Sequence, residues 1–402
     1  MQAATLTPPR SKADSFESPD FYCIDDLLTA EHKLVRSAVR NFVKREITPI
    51  VEECAQRAEF PQHLVQKFGQ IGAFGATIPV EYGGGGLDQI SYGLMTQEIE
   101  RGDSGMRSCV SVQNSLVMYP IYTFGSEEQR KKYLPRLATG ELLGCFGLTE
   151  ANHGSDPGSM ETNFIERSDY YLLNGSKLWI TNAPIADIAI VWARNDQGKV
   201  RGLILERGME GFSTNEIKNK WSLRASSTGE LIFQDVQVPK ENLLPEAYGL
   251  KSALKCLEQA RYGISWGALG TAMECYEVAR RYALERMQFN KPIASFQLIQ
   301  KKLAEMLTDI TQAQLLCWRL GTLKNEDKAT NAQISLAKRN NVEIAQRVAR
   351  EARQILGAMG ISGDYPVMRH LMNLESVSTY EGTHDIQLLI LGAEITGIPA
   401  FK

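Results

Sequence analysis

This sequence has few of the features that mark membrane or exported proteins. Among its 402 residues no apolar run approaches the ~20 residues that a membrane-spanning helix needs. The N-terminal segment is polar and mixed in charge, with neither the apolar core of a signal peptide nor the composition of a transit peptide. We therefore expect no membrane insertion, a cytoplasmic location, and a flexible N-terminal lead-in over residues 1–23.

Patterns typical of metal sites, disulfide frameworks and nucleic-acid binding are also missing. There are only five histidines, none at a metal-ligand spacing, so we expect no metal site. The seven cysteines are scattered singly, which favours reduced, mostly buried thiols over a disulfide framework. With a net charge of -3 and no long basic block, the composition disfavours nucleic-acid binding as the main function.

What the sequence does contain is a hydrophobic period that changes along its length. Apolar residues recur at three- and four-residue steps from about Leu28 to Ile47, and further helices are predicted over 64–74, 90–100, 111–122 and 127–142. We therefore predict an N-terminal α-helical domain over 24–142. A chain of this length exceeds what one core usually supports, so further domains are expected.

Short segments rich in branched and aromatic residues follow, and they predict a middle antiparallel β domain over 143–245. The predicted strands are 142–149, 170–173, 177–181, 187–193, 200–206 and 231–238, with turns at 174–175, 195–198 and 227–229. From Tyr248 the helical period returns, and an alternating four-three spacing over 296–320 predicts a C-terminal α-helical bundle domain over 246–402. The predicted fold class is therefore α+β multidomain.

Two segments of the middle domain could bind a cofactor, although each also has an ordinary structural explanation. Residues 146–156 (FGLTEANHGSD) place glycines and hydroxyls at a strand end, where backbone amides could approach an anion or a polar ring edge. An ordinary Gly/Ser/Asp loop explains the same composition. Trp179 is either a buried core residue or a surface on which a planar cofactor packs.

Two further clusters could carry chemistry. Arg107, Ser108 and Ser111 begin a predicted apolar helix, where an arginine could hold a carboxylate bidentately and the helix N-terminus would favour an anion. A capping serine with a surface ion pair is the alternative there. Near the C-terminal end, Glu381 precedes an apolar run and is either a general base in a dry pocket or part of an ordinary turn.

Five motifs, FGLTEANHGSD, WITN, RMQF, QILGAMG and YEGTHDI, resemble in order and spacing those of the acyl-CoA dehydrogenase family, over about Leu28 to Phe401. Within that family, ERGDSGMRSCVSVQNSLV, GCFGLTEANHGSDPGSM and STYEGTHDI resemble the glutaryl-CoA dehydrogenases. The resemblance implies an N-terminal α domain, a middle β domain, a C-terminal four-helix bundle and a homotetramer. Met106 and Ala358 depart from the pattern, where a tyrosine and a second glycine are frequent.

The resemblance also implies one FAD per subunit and the residues that hold it. Those within the subunit would be Phe146, Gly147, Leu148, Thr149, Ser155, Trp179, Ile180, Thr181, Thr383, Asp385 and Phe401. Those approaching the FAD of a neighbouring subunit would be Arg286, Gln297, Gln354 and Gly357.

For the reaction, the resemblance assigns Glu381 as the base that removes the α-proton of an acyl thioester while the β-hydrogen leaves as hydride to the flavin. A flavin ribityl hydroxyl and the backbone N–H at the base's position would stabilise the enolate oxygen. Arg107 and Ser111 would hold the distal carboxylate of glutaryl-CoA. The full set of implied substrate-binding residues is Glu100, Arg107, Ser108, Ser111, Ser155, Arg261, Tyr380 and Gly382.

The favoured function is therefore oxidative decarboxylation of glutaryl-CoA to crotonyl-CoA and CO2, with electrons passing to electron-transfer flavoprotein. This choice follows from Glu100 and Tyr380, which match positions associated with the decarboxylating members. The alternatives are a non-decarboxylating or other short-chain acyl-CoA dehydrogenase, an acyl-CoA oxidase, and a catalytically silent helical scaffold or binding protein. The presence of Glu381, Arg286 and Trp179 together argues against the silent protein.

Overall fold

The computed structural model describes residues 20–400, which form a helical part, a strand-rich part and a second helical part. The helices of the first part are α1 (Ala30–Phe42), α2 (Val51–Arg57), α3 (Leu64–Gln70), α4 (Gln89–Gly102), α5 (Ser104–Ser111), α6 (Tyr119–Phe124) and α7 (Glu127–Ala138). The π-helical segment Val43–Ile47 continues α1, and Val112–Met118 joins α5 to α6. The apolar stripe predicted for the first helix is confirmed, because Val39, Phe42, Val43 and Ile47 are buried.

The start of the predicted helix 111–122 was wrong. Asp103 accepts a hydrogen bond from the backbone N–H of Gly105 at 2.7 Å, and this cap begins α5 at Ser104. Arg107 therefore lies within α5 instead of at a helix N-terminus. The helix-terminus argument for anion binding at Arg107 falls with it, and any anion there would be held by the side chain.

The second part is a sheet of strands β1 (Gly144–Gly147), β2 (Asn163–Glu166), β3 (Tyr170–Thr181), β4 (Ile188–Arg194), β5 (Val200–Glu206), β6 (Phe212–Glu216) and β7 (Thr228–Pro239). Its order is β1-β4-β2-β3-β7-β6, with β5 paired to β4. The pairs β2–β3, β3–β7, β4–β5 and β6–β7 are antiparallel, as the strand pattern predicts. Strand β4 also runs parallel to β1 and, at one residue pair, to β2.

Two of the predicted turns lie inside strands. Asn174 and Gly175 belong to β3, whose register shifts between Leu173 and Gly175. The Asn174 amide exchanges hydrogen bonds with Asp235 on β7, both at 2.9 Å, and so anchors a β-bulge. Thr228 likewise begins β7. Strands β2 and β6 are short and mostly polar, and their pattern did not predict them.

The third part holds α8 (Leu250–Glu285), a hairpin of β8 (Met287–Gln288) and β9 (Lys291–Pro292), α9 (Gln297–Asn325), α10 (Asn331–Ile355), α11 (Val367–Thr379) and α12 (His384–Thr396). The stripe predicted for α9 is confirmed by the burial of Met306, Ile310, Ala313, Cys317 and Leu320. None of the helices that the structure describes combines the length and apolar character needed to cross a bilayer.

Helix α8 connects the two helical parts. It packs against α4 on one side and α10 on the other, and α10 in turn packs against α11 and α12. The approach of α4 to α8 is close, because a Cβ on Gly93 would lie 2.4 Å from the ring of Trp266. The turn at 380–383, between α11 and α12, is thereby held beside α8 and α10.

Candidate active site

The turn at 380–383 has a backbone conformation that side chains rarely adopt. Glu381 has φ +54° and Gly382 has φ +89°. The left-handed conformation costs a non-glycine residue roughly 1–2 kcal/mol, and such strain persists only where the surroundings enforce it. Thr383 ends the turn, because its hydroxyl accepts the backbone N–H of Ile386 at 3.3 Å and caps α12.

Buried side chains from three helices bind the carbonyl groups of residues 380–382. Lys338 donates from Nζ to the first and third carbonyls at 2.9 and 2.8 Å. Arg261 donates from Nε to the middle carbonyl at 2.7 Å. Gln387 donates from Nε2 to the second and third at 3.3 and 3.1 Å. These bonds enforce the turn, and they place Arg261, expected on the thioester or CoA side, on the backbone of Glu381.

The Glu381 carboxylate is set up to take a proton. Its Oε2 is buried, and no residue in the described range 20–400 donates a hydrogen bond to it. Burial raises the pKa of Glu381, and Arg107, Lys338 and Arg261 oppose that rise without cancelling it. A general base works best with an oxygen that no hydrogen-bond donor occupies and a pKa near the working pH. Both conditions are met here.

Arg107 lies fully buried between Glu100 and Tyr380. Its Nε donates to Glu100 Oε2 at 2.5 Å, and its Nη2 donates to the hydroxyl of Tyr380. Burial opposes the charge of Arg107, but the Glu100 carboxylate raises its pKa above the ordinary value. Burial also raises the pKa of Tyr380, so the phenol is neutral. The arginine therefore remains charged and is tied directly to the residue before Glu381.

Several polar atoms of this cluster are unpaired within residues 20–400. They are Arg107 Nη1, Glu100 Oε1 and Ser111 Oγ, all buried. Arg107 and Ser111 are one turn apart on α5 and share a face, whereas Ser108 follows Arg107 directly and lies on another face. A buried donor without a partner costs about 1–3 kcal/mol. A ligand carboxylate at this face would recover that loss.

Sequence reasoning missed four residues at this site. Lys338 and Gln387 bind the turn, and the buried Tyr92 places its hydroxyl 3.1 Å from Ser115 Oγ beside the Arg107 cluster. Gly267 leaves room for the ion pair, since a Cβ there would lie 1.9 Å from Glu100 Oε2. A signal existed only for Lys338, a charged residue inside the apolar stripe of α10.

The two segments expected to hold a flavin within the subunit are adjacent. The backbone N–H of Leu178 on β3 donates to the carbonyl of Thr149, just beyond β1, at 2.9 Å. Trp179 stands in a second bulge of β3 with φ +63°, and its side chain is 55% exposed. The interpretation of Trp179 as a core residue is therefore wrong. An exposed indole beside a strand end fits a planar cofactor ring.

Three of the other expected flavin contacts have buried side chains, so they could contact a flavin only through the backbone. Phe146 packs its ring against that of Trp192, with the ring centroids 6.1 Å apart, and the side chains of Leu148 and Ile180 are also buried. The loop after β1 is anchored by Glu150, which pairs with the buried Lys177 at 2.8 Å. Gly147 and Thr181 complete the two strand ends, whereas Ser155 in the loop and Asp385 at the start of α12 are exposed.

The residues expected at a neighbouring subunit's FAD lie at the other end of the bundle. Arg286, Gln297, Gln354 and Gly357 are all exposed, around the α8–α9 connection and the end of α10. Gln354 lies sixteen residues beyond Lys338 on α10, about 24 Å at 1.5 Å per residue. Phe401 lies outside the described residues.

Comparisons with known proteins agree in architecture. Sequence profiles described as acyl-CoA dehydrogenase N-terminal, middle and C-terminal domains match residues 29–141, 145–236 and 247–396. An acyl-CoA dehydrogenase of Bacillus subtilis is 40% identical over 375 residues, covering 92% of this chain and 99% of the relative. A short-chain-specific acyl-CoA dehydrogenase of Clostridium acetobutylicum is 37% identical over 379 residues, covering 92% of this chain and 100% of the relative.

Solved structures are also similar over nearly the whole chain. Glutaryl-CoA dehydrogenase from Mycobacterium smegmatis is 46% identical with a TM-score of 0.93, covering 94% of this chain and 98% of that one. A structure of the enzyme from the same organism in complex with FADH2 is 45% identical with a TM-score of 0.92, covering 94% and 97%. A glutaryl-CoA dehydrogenase–glutaryl-CoA complex is 35% identical with a TM-score of 0.89, covering 92% and 96%.

Proposed function

Because the chain belongs to the acyl-CoA dehydrogenase family, we propose that it converts glutaryl-CoA to crotonyl-CoA and CO2 by oxidative decarboxylation. It is an oxidoreductase of the acyl-CoA dehydrogenase type, and its cofactor is FAD. FAD supplies the acceptor for the hydride that leaves the β-carbon of the substrate. The exposed Trp179 and the strand end at Thr149 would hold its ring system.

The observation that carries the substrate assignment is the buried, charged Arg107 with an unpaired Nη1. A desolvated guanidinium with an unused N–H fits a carboxylate, which accepts charge-assisted hydrogen bonds. Ser111 Oγ, on the same face of α5, offers a second unpaired group. A monocarboxylic acyl chain would leave both groups unsatisfied, whereas the distal carboxylate of glutaryl-CoA would pair with them.

Glu381 would be the base. Its unpaired Oε2 takes the proton from the α-carbon, and its raised pKa makes that proton transfer less unfavourable than it would be for an exposed glutamate. The bonds from Lys338 and Arg261 to the neighbouring carbonyls hold the carboxylate in place during the transfer. The backbone N–H of the turn would stabilise the enolate oxygen.

Decarboxylation would follow in the same pocket. When the distal carboxylate of the unsaturated product leaves as CO2, the electron pair of the broken C–C bond enters the conjugated thioester, which then needs one proton. Protonated Glu381 can supply it, which returns the base to its starting state. Tyr380, the residue before Glu381 in the chain, accepts a hydrogen bond from Arg107, so the proposed base and the proposed carboxylate-binding residue are linked through the backbone of the turn.

We further propose a homotetramer and electron-transfer flavoprotein as the electron acceptor. Gln354 stands about 24 Å along α10 from Lys338, the residue that binds the turn, and Gly357 lies just beyond the end of that helix. This separation supports their assignment to the FAD of a neighbouring subunit. The complete site would then require at least two copies of the chain.

A second candidate function is oxidation of a short unbranched acyl-CoA. The observation that favours it is the 2.5 Å pair between Arg107 and Glu100, in which the carboxylate of Glu100 offsets the charge of Arg107. A neutral acyl tail would then meet no net charge. In this case glutaryl-CoA would bind poorly, because Glu100 would repel its carboxylate.

Product analysis separates these possibilities. The purified holoenzyme is incubated with glutaryl-CoA or butyryl-CoA and an artificial electron acceptor, and the thioesters and CO2 are quantified. We expect crotonyl-CoA from glutaryl-CoA together with one CO2 per turnover. Glutaconyl-CoA without CO2, or turnover of butyryl-CoA alone, would overturn the proposal. Stoichiometric peroxide in air without the acceptor would instead identify an oxidase.

A further inference from the structure

Lys338 is a buried lysine in an unusual place. It lies two turns into α10, only 1% exposed, and its helix neighbours Ile334, Ala337 and Val342 are also buried. Burying an ammonium group costs several kcal/mol unless partners compensate it. Its depressed pKa, caused first by burial, reflects that cost. A side chain kept at such a cost needs a reason that packing does not provide.

Its hydrogen bonds give that reason. The Nζ donates to the carbonyls of Tyr380 and Gly382, the two residues that flank Glu381, at 2.9 and 2.8 Å. One ammonium thus holds both ends of the turn whose central residue has φ +54°. Without these bonds two buried carbonyls would lose a charged donor, and Glu381 could relax toward a commoner backbone conformation.

The same group also contributes to the electrostatic field at the carboxylate. The cations facing Glu381 are Lys338 from α10, Arg261 from α8 and Arg107 from α5. The other titratable groups around them are Glu258 on α8, Glu100 and Tyr92 on α4, and Tyr380. Glu100 is paired with Arg107 at 2.5 Å, so part of that arginine's charge is already neutralised. Lys338 has no carboxylate partner within residues 20–400, and its charge acts on Glu381 through space.

We propose that Lys338 is a positioning residue for the catalytic base: its two hydrogen bonds fix the turn that presents Glu381, and its charge favours the ionised carboxylate. This inference rests on the proposed role of Glu381. It adds Lys338, a residue of α10, to the groups that position the Glu381 carboxylate. Lys338 would thus act in two ways, through the geometry of the turn and through its own charge. Different substitutions remove these two effects separately.

Two variants of the holoenzyme test these effects. Lys338→Gln keeps an amide that can donate two hydrogen bonds but removes the charge, and Lys338→Met removes both. Flavin reduction by substrate is followed in a stopped-flow instrument as a function of pH. For Lys338→Gln we expect the apparent pKa of the rate to rise by about one unit, with the limiting rate at high pH within roughly tenfold of wild type. For Lys338→Met we expect the same rise and a limiting rate lower by at least about 100-fold.

The control is Lys324→Gln, which neutralises a lysine on α9 that donates to Gln259 at 2.8 Å and, within residues 20–400, makes no hydrogen bond to the turn. Its profile should match that of wild type. A wild-type pH profile in Lys338→Gln would overturn the inference, and so would an equal shift in the Lys324 control. If Lys338→Met does not fold or loses FAD, Lys338→Gln still decides the question.

Glu381→Gln distinguishes failure of this inference from failure of the proposed function. If flavin reduction persists in Glu381→Gln, the assignment of the base is wrong, and the role of Lys338 falls with it. If Glu381→Gln is inactive while Lys338→Gln keeps the wild-type profile, the base stands and only the role of Lys338 is refuted.

Discussion

Arg107 and Tyr380 lie 273 positions apart in the sequence and are hydrogen-bonded inside the protein, the guanidinium donating to the phenol hydroxyl. Tyr380 directly precedes Glu381. The residue expected to hold the distal end of the substrate is therefore attached to the turn that carries the proposed base. Because of this link, a substitution at Arg107 is expected to lower the rate with every acyl-CoA slightly, in addition to removing the contact with a distal carboxylate.

Removal of the Arg107 charge should lower kcat/KM for glutaryl-CoA much more than for an acyl-CoA without a distal carboxylate. Arg107→Met alone would leave the Glu100 carboxylate buried and unpaired, so the informative variant is Glu100→Gln/Arg107→Met, with Glu100→Gln as its control. Losing a desolvated charge-assisted contact costs about 2–5 kcal/mol, or roughly 30- to several-thousand-fold in kcat/KM. We expect that loss with glutaryl-CoA and a much smaller one with butyryl-CoA. Equal losses on both substrates would show that Arg107 is structural.

The pH dependence of the reaction should follow Glu381. Burial raises its pKa to about 7, and a base must be deprotonated to act. The rate of flavin reduction should therefore rise with pH through that value and level off above it. Glu381→Gln should bind FAD and show no flavin reduction at any pH, whereas the exposed Glu375→Gln should follow the wild-type profile. A rate that falls as the pH rises through 7 would contradict this role.

The exposed indole of Trp179 should contribute to cofactor affinity without contributing to the core. Its side chain is 55% exposed, so Trp179→Ala should leave the unfolding temperature of the apoprotein nearly unchanged. Aromatic stacking adds about 0.5–1.5 kcal/mol, which predicts a rise of roughly 2- to 15-fold in the Kd for FAD. Trp221→Ala is the matched control, because that indole is 79% exposed and lies outside the expected flavin site. If both variants weaken FAD binding equally, Trp179 does not contact the cofactor.

The long helices of this fold could be predicted because the spacing of apolar residues along the sequence is enough to indicate them. The stripe of α9 repeats over many residues, so a local irregularity does not hide it. The Asn174-Gly175 bulge could not be predicted, because the same pair also forms hairpin turns. What decides between them is the distant Asp235, which binds the Asn174 amide. The start of α5 was missed for a similar reason, since Asp103 could equally belong to a loop.

The candidate site likewise combines residues that the local sequence suggests with residues that only the tertiary structure brings together. Glu381 and Arg107 were proposed from motifs, because the expected chemistry requires those residue types, and their roles stay predictions. The supporting side chains Lys338 and Gln387 come from other helices, and only the packing of α10 and α12 brings them to the turn. Gly267 is meaningful only because Glu100 lies against it. Tertiary contacts of this kind leave little trace in a single sequence.

The buried pair Glu150–Lys177 should stabilise the loop beside the expected cofactor site. Replacing Glu150 should cost more stability than replacing Lys177. Lys177 is fully buried and donates to Glu150 Oε1 at 2.8 Å. Glu150 also accepts the backbone N–H groups of Glu161 and Thr162 at 2.6 and 3.0 Å. Glu150→Gln would leave a buried ammonium without its counter-ion, at a cost of about 3–5 kcal/mol. Lys177→Met would leave a carboxylate that keeps its backbone donors, so it should cost less.

The direction in which stability changes with pH distinguishes an electrostatic contribution of the Glu150–Lys177 pair from a contribution of packing. Hydrogen bonds from the backbone and from Lys177 outweigh burial and lower the pKa of Glu150 to about 2. The carboxylate therefore stabilises the folded state at pH values above the unfolded pKa of about 4.3, and that stabilisation is lost as the pH falls toward 2. Thermal unfolding followed between pH 7 and pH 3.5 should show wild type losing stability faster than Glu150→Gln on acidification. Parallel curves, or a larger loss in Lys177→Met than in Glu150→Gln at pH 7, would show that the pair acts by packing alone.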